Sequence, residues 1–165
     1  MTPHELLCQI VSKEVGVKES GGDNHGPRVE EYQKSVEGFK ADGQSWCMAF
    51  VQWGISNVEC LRNISSPILK HEHCMTVWNK SPESMRVPVD KVFPGCIIIW
   101  QHDGTSNGHT GVVVAVTDNN FGTVEGNTSP GNGIDRNGDG VYARVRTKKG
   151  GGGMTVVGFL DPFKA

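Results

Sequence analysis

The chain has 165 residues, 36% of them hydrophobic and 21% charged, with a formal net charge of −2. That length can bury a substantial core, and the composition is that of a folded globular chain rather than a disordered one. The near-neutral charge gives no electrostatic case for nucleic acid or an acidic membrane surface, and apolar runs such as CIIIW and GVVVAV are far too short to span a bilayer.

In chain order, MTPHELLCQIV lacks the basic start and long apolar stretch of a secretory signal, so cytoplasmic synthesis is expected. Thr2-Pro3-His4-Glu5 reads as a capping box with Pro at the first helical position, and Leu7, Ile10 and Val11 share one face behind it. Pro27 opens a second predicted helix with Val29, Tyr32 and Val36 inward, closed by Gly38. Ser45 is placed to cap a third helix whose second residue is Cys47, with Phe50, Val51, Gly54, Ile55 and Val58 at helical spacing. A fourth covers His71 to Lys80, with Cys74, Val77 and Trp78 inward. Beyond residue 94 the grammar changes. Fifteen of the 22 glycines fall there, separating candidate strands at Cys96–Trp100, Thr110–Thr117, Thr123–Asn127, Val141–Arg146 and Thr155–Phe159. Helices first and strands with short connections second predict an α+β fold, N-terminal helices packed on a C-terminal antiparallel β-sheet, in one domain over 1–165.

A thiol in the first turn of a helix feels the positive end of the helix dipole, which favours thiolate; Cys47 is therefore a candidate nucleophile. The competing expectation is a small core residue, since Cys47 shares its helix's apolar stripe. His109 opens a strand after a turn-forming segment and is the candidate base, with His102 as competitor. Glu125 and Asn127 lie two apart on a strand and so point to one face, where either could accept the second imidazole N–H. Cys8, Cys60, Cys74 and Cys96 read as core thiols, and five cysteines without CxxC spacing argue against a disulfide framework. His71, His73 and Cys74 resemble metal ligands but lack a second cluster at zinc-site spacing. Asp135 to Gly140 matches the first half of a calcium loop, but Arg146 stands where the bidentate Glu is required. No metal and no cofactor is expected.

Together SWCMAFVQW around Cys47, PGCIIIW, GHTGVVV around His109 and TVEGNTSPG around Glu125 and Asn127 resemble the CHAP family of cysteine- and histidine-dependent amidohydrolases and peptidases. Four motifs appear in the family's order. Cys96 departs from the acidic residue common after PG, and Met48 from a small one. The resemblance implies a papain-like fold and hydrolysis of amide bonds, most often in peptidoglycan. The bond is either the one joining N-acetylmuramic acid to L-alanine or one within the peptide stem or cross-bridge. It implies Cys47, His109, Glu125 and Asn127 as catalytic residues; Trp46 and Asn24 are expected to line the substrate groove. The expected partner is peptidoglycan, met by a monomer after release or delivery as a phage lysin or bacterial effector, the latter with an immunity protein. The alternatives are an inactive wall-binding module on the same fold, or a cysteine hydrolase acting on another amide.

Overall fold

Thr2 closes the predicted capping box. Its hydroxyl accepts from the Glu5 N–H and the Glu5 carboxylate accepts from the Thr2 N–H at 2.6 Å, starting α1 (Pro3–Ser12). The computed structural model describes residues 1–36, 45–128 and 138–164. Pro27 likewise begins α2 (Pro27–Lys34), with Val29 and Tyr32 buried; Gly38, expected to close it, lies outside the described residues. The long helix α3 (Cys47–Arg62) ends on Asn63 in the left-handed region. The short helix α4 (Cys74–Lys80) starts three residues later than predicted, because the His73 side chain accepts from the Thr76 N–H and caps it.

The five predicted strands are present, each extended by one to three residues at one or both ends: β2 (Ile97–His102), β3 (Gly108–Val116), β4 (Asn120–Thr128), β5 (Gly140–Thr147) and β6 (Met154–Leu160). The sequence reading missed β1 (Arg86–Val87), too short to show a period-two pattern. The sheet order is β1-β6-β2-β3-β4-β5 with every pairing antiparallel, so β6 returns to lie between β1 and β2. This is the expected α+β, papain-like arrangement of helices on an antiparallel sheet. Ile97 and Ile99 of β2 pack toward Leu7, Val11, Phe50 and Ile55 of the helices. Ile98 and Trp100 turn to the opposite face with Val113, Phe121 and Phe159. A strand buried on both faces reads as the continuous apolar run CIIIW rather than as an alternating one. Each fully buried Leu, Ile or Phe of these clusters contributes about 1.5–3 kcal/mol relative to exposure. Among the described residues no helix is long and apolar enough to cross a membrane. Of the acidic loop at Asp135–Gly140, residues 135–137 lie outside the described residues.

Candidate active site

Cys47 is the first residue of α3, one position nearer the helix start than predicted. The cap is Trp46, not Ser45, and it makes no side-chain capping bond. The backbone N–H groups of the first turn are therefore left without intrahelical partners at the sulfur's end of the helix. Trp46 does not line a groove: its indole is wholly buried, stacks on Tyr32 at 5.6 Å and donates from Nε1 to Glu19 Oε1 at 2.8 Å. Tyr32 in turn donates to Glu14 Oε1 at 2.7 Å, and Arg28 Nε donates to the same oxygen at 2.5 Å. This set, its Trp46 and Tyr32 rings buried and its Arg28 side chain partly exposed, is drawn from α2 and from the segments preceding α2 and α3, and fixes where α3 begins and hence where Cys47 stands.

The sheet supplies the rest. Trp100 of β2 lies directly across from His109 of β3, and their rings stack at 5.6 Å with 20° between planes. His109 Nε2 contacts Glu125 Oε1 of β4 at 2.7 Å. Glu125 is an acceptor-only carboxylate, so Nε2 carries the proton and Nδ1 is the ring nitrogen left for the Cys47 sulfur, with which His109 interacts electrostatically. Glu125 is fully buried and its oxygens are saturated. Arg146 of β5 donates to Oε2 from Nε at 2.8 Å and to Oε1 from Nη2 at 2.5 Å, and the Thr123 hydroxyl donates to Oε2 at 2.5 Å. The Arg146 guanidinium also lies over the Trp100 ring, 5.1 Å from its centroid. Gly111, two residues along β3 from His109, makes room for this chain: a Cβ there would sit 2.6 Å from Glu125 Cγ.

A second thiol joins the site. Cys74, the first residue of α4, places its sulfur 3.7 Å from that of Cys47. Gly108 allows the approach, since a Cβ there would fall 3.0 Å from Cys74 Cβ and 2.5 Å from the Trp100 carbonyl oxygen. Cys74 is buried at 3% exposed, as its apolar setting in the sequence predicts, but local sequence gives no sign of its neighbour 27 positions away.

These contacts set the charges. The Cys74 S–H donating to the Cys47 sulfur, then the His109 imidazolium, hold Cys47 well below the usual thiol range against the opposing effect of burial. Cys74 is correspondingly raised well above it, by that same bond, by burial and by the Cys47 charge. Burial opposes a charge on His109, but Cys47 and Glu125 outweigh it and raise the ring to about 9. Burial also opposes a charge on Glu125, and Arg146 and His109 outweigh it, holding the carboxyl far below its ordinary range. The resting pair is thus thiolate and imidazolium. The thiolate should persist as pH falls below the ordinary thiol range until its lowered pKa is reached, and the imidazolium should persist as pH rises to about 9. The rate of Cys47 alkylation by iodoacetamide, followed by peptide mass, is therefore expected to stay on one plateau from neutral pH to about 8. A rate rising tenfold per pH unit across that range would show an ordinary thiol instead.

Asn127 does not share Glu125's face. Its φ of 54° lies in the left-handed region, within an irregularity of the β4–β5 ladder between Glu125 and Thr128, and this breaks the alternation the sequence reading assumed. Glu125, not Asn127, contacts the imidazole. Asn127 instead donates from Nδ2 to Ser45 Oγ at 2.6 Å, two residues before Cys47, while its buried Oδ1 has no hydrogen-bond partner among the described residues. Asn24 is half-buried, also in the left-handed region, and its carbonyl accepts from Gln33 Nε2 at 3.1 Å. His102 ends β2, its backbone N–H bonded to the Asn107 carbonyl. His71 Nδ1 accepts from the His73 N–H, which ties both residues into the α4 cap. Among the described residues no group of three or more His, Cys, Asp and Glu side chains could hold a metal ion.

No curated protein and no solved structure matches this chain. The sequence model of the family described as "CHAP domain" matches residues 39–127, which carry Cys47, Cys74, His109, Glu125 and Asn127 and leave Arg146 outside. That match spans more than half of the 165 residues, and the chain belongs to the CHAP-domain family.

Proposed function

We propose that the protein hydrolyses amide bonds of peptidoglycan with Cys47 as nucleophile, as an N-acetylmuramoyl-L-alanine amidase or a stem or cross-bridge endopeptidase. The observation that carries this is the hydrogen-bonded chain from His109 through Glu125 to Arg146, with the imidazolium and the Cys47 thiolate stabilising each other's charge. The thiolate attacks the carbonyl carbon, and the new oxyanion meets the backbone N–H of Cys47 at the helix start. His109 Nδ1 gives its proton to the departing amine as the C–N bond breaks, leaving a thioester. Water, deprotonated by His109, then cleaves the thioester and returns the thiolate. Glu125 holds the ring through Nε2, and Arg146 and Thr123 keep Glu125 ionised and in place. Delivery to the wall as a phage lysin or a secreted effector fits this chemistry, and a neighbouring holin gene or immunity gene would tell the two apart.

The test is the mass of the products released from purified sacculi. A new free L-alanine amine identifies an amidase; a new amine within the stem or bridge identifies an endopeptidase. If neither forms while a generic peptide or ester substrate is turned over in a Cys47-dependent way, the substrate assignment falls and the nucleophile stands.

A further inference from the structure

Two sulfurs in van der Waals contact inside one pocket are more than the hydrolytic scheme requires. That scheme uses the Cys47 thiolate and His109; a thiol at 3.7 Å has no step of its own in it. We propose that Cys47 and Cys74 form a site of reversible covalent oxidation, in which a peroxide oxidises the nucleophile and Cys74 captures it as a disulfide. The inference rests on Cys47 being the reactive thiol of the site, not on which amide the enzyme cleaves.

The geometry favours Cys74 over every other thiol as the capturing partner. Cys47 is 6% exposed, so a molecule as small as hydrogen peroxide can reach it. Cys74 is 3% exposed and needs only to reach Cys47. Its sulfur must close from 3.7 Å to a bonded distance of about 2.05 Å. Cys60 is exposed; Cys8 donates toward the Val113 carbonyl and Cys96 is wholly buried on the far side of the sheet.

The steps balance. Cys47 as thiolate attacks one peroxide oxygen and the O–O bond breaks; Cys47 becomes sulfenic acid and the leaving hydroxide takes a proton to become water. The neutral sulfenic acid no longer carries the negative charge that keeps Cys74 protonated. The Cys74 sulfur then attacks the Cys47 sulfur, the S–O bond breaks, and the Cys74 proton leaves with the hydroxyl as a second water. Two electrons pass from the two thiols to one peroxide, and a dithiol reductant returns both thiols by exchange. Without Cys74 the sulfenic acid remains open to a second peroxide and passes to sulfinic acid, which reductants do not reverse.

The experiment treats the purified full chain with hydrogen peroxide, blocks the remaining thiols by alkylation in denaturant, and reads intact mass and a peptide map before and after dithiothreitol. The expected wild-type product has lost two hydrogens, keeps three of the five cysteines alkylatable, and yields one cross-linked peptide joining Cys47 to Cys74. Hydrolytic activity falls about tenfold or more and returns with the reductant. In Cys74→Ser, Cys47 gains two oxygens and the activity that variant starts with does not return. A wild-type map without the 47–74 peptide, a dimer linked through Cys60 in its place, or equal recovery in Cys74→Ser overturns the proposal. The mass readout needs no substrate, so it stands or falls separately from the peptidoglycan assignment, and the wild-type map decides the matter even if the variant does not fold.

Discussion

Cys47→Ala is expected to lower amide hydrolysis by roughly 10³-fold or more, because the thiol that remains, Cys74, is held protonated and is a poor nucleophile for forming the thioester. The change removes one buried sulfur from a helix start in contact with Cys74, at a stability cost of about 1 kcal/mol, so the circular dichroism spectrum should keep its wild-type shape. The variant also removes one of the two anionic neighbours of His109 and leaves Glu125, which lowers the ring pKa from about 9. A titration of the His109 ring resonances reads that shift independently of activity. If the variant clears isolated peptidoglycan at the wild-type rate, Cys47 is not the nucleophile, whatever its charge.

The second large effect is expected at Arg146. Its two hydrogen bonds hold a fully buried carboxylate, and removing one partner of a buried ion pair leaves the other uncompensated. Arg146→Ala should cost about 3 kcal/mol of stability and about 10²-fold in kcat, since a misplaced Glu125 frees the imidazole to rotate. The pH dependence gives the sign. Arg146 lowers the folded-state pKa of Glu125, so the stability this carboxylate contributes is fully present above its unfolded value near 4.3 and is lost as pH falls toward the folded one. Without Arg146 the folded pKa rises, and both the stability loss and the acid limb of kcat/KM should move to higher pH. A variant whose acid limb stays where the wild type has it would make Arg146 a packing residue only. Adding Glu125→Gln to Arg146→Ala removes the stranded charge, so part of the stability should return while activity does not.

Much of this site can be read from local sequence, and the part that cannot has a common cause. Cys47 and His109 stand out because each sits at the start of an element whose apolar pattern is unambiguous, and Glu125 because it lies on a strand two places from an amide. The choice between Glu125 and Asn127 needed the backbone: a left-handed φ at Asn127 moves its side chain to Ser45, and strand alternation gives no hint of that. Trp46 borders the nucleophile in sequence, yet its indole points into the core, where Glu19 and Tyr32 hold it. Arg146 and Cys74 carry no local signal at all. One is a basic residue on a strand rich in Arg, and the other follows two histidines that draw attention to metal chemistry. Their roles exist only because β5 pairs with β4 and because Gly108 lets α4 approach. Register and close approach are long-range facts, and a single sequence encodes them without displaying them.

The strand order bears on how this unit could be cut or transplanted. The family-matched stretch ends at 127, yet the counter-ion of Glu125 comes from Arg146 on the next strand, and β6 lies between β1 and β2 within the sheet. A fusion that borrowed only the matched stretch would keep Cys47, His109 and Glu125 while stripping Glu125 of its cation and β2 of a neighbour. A transferable unit that keeps this site whole therefore has to run through Leu160, the last residue of β6.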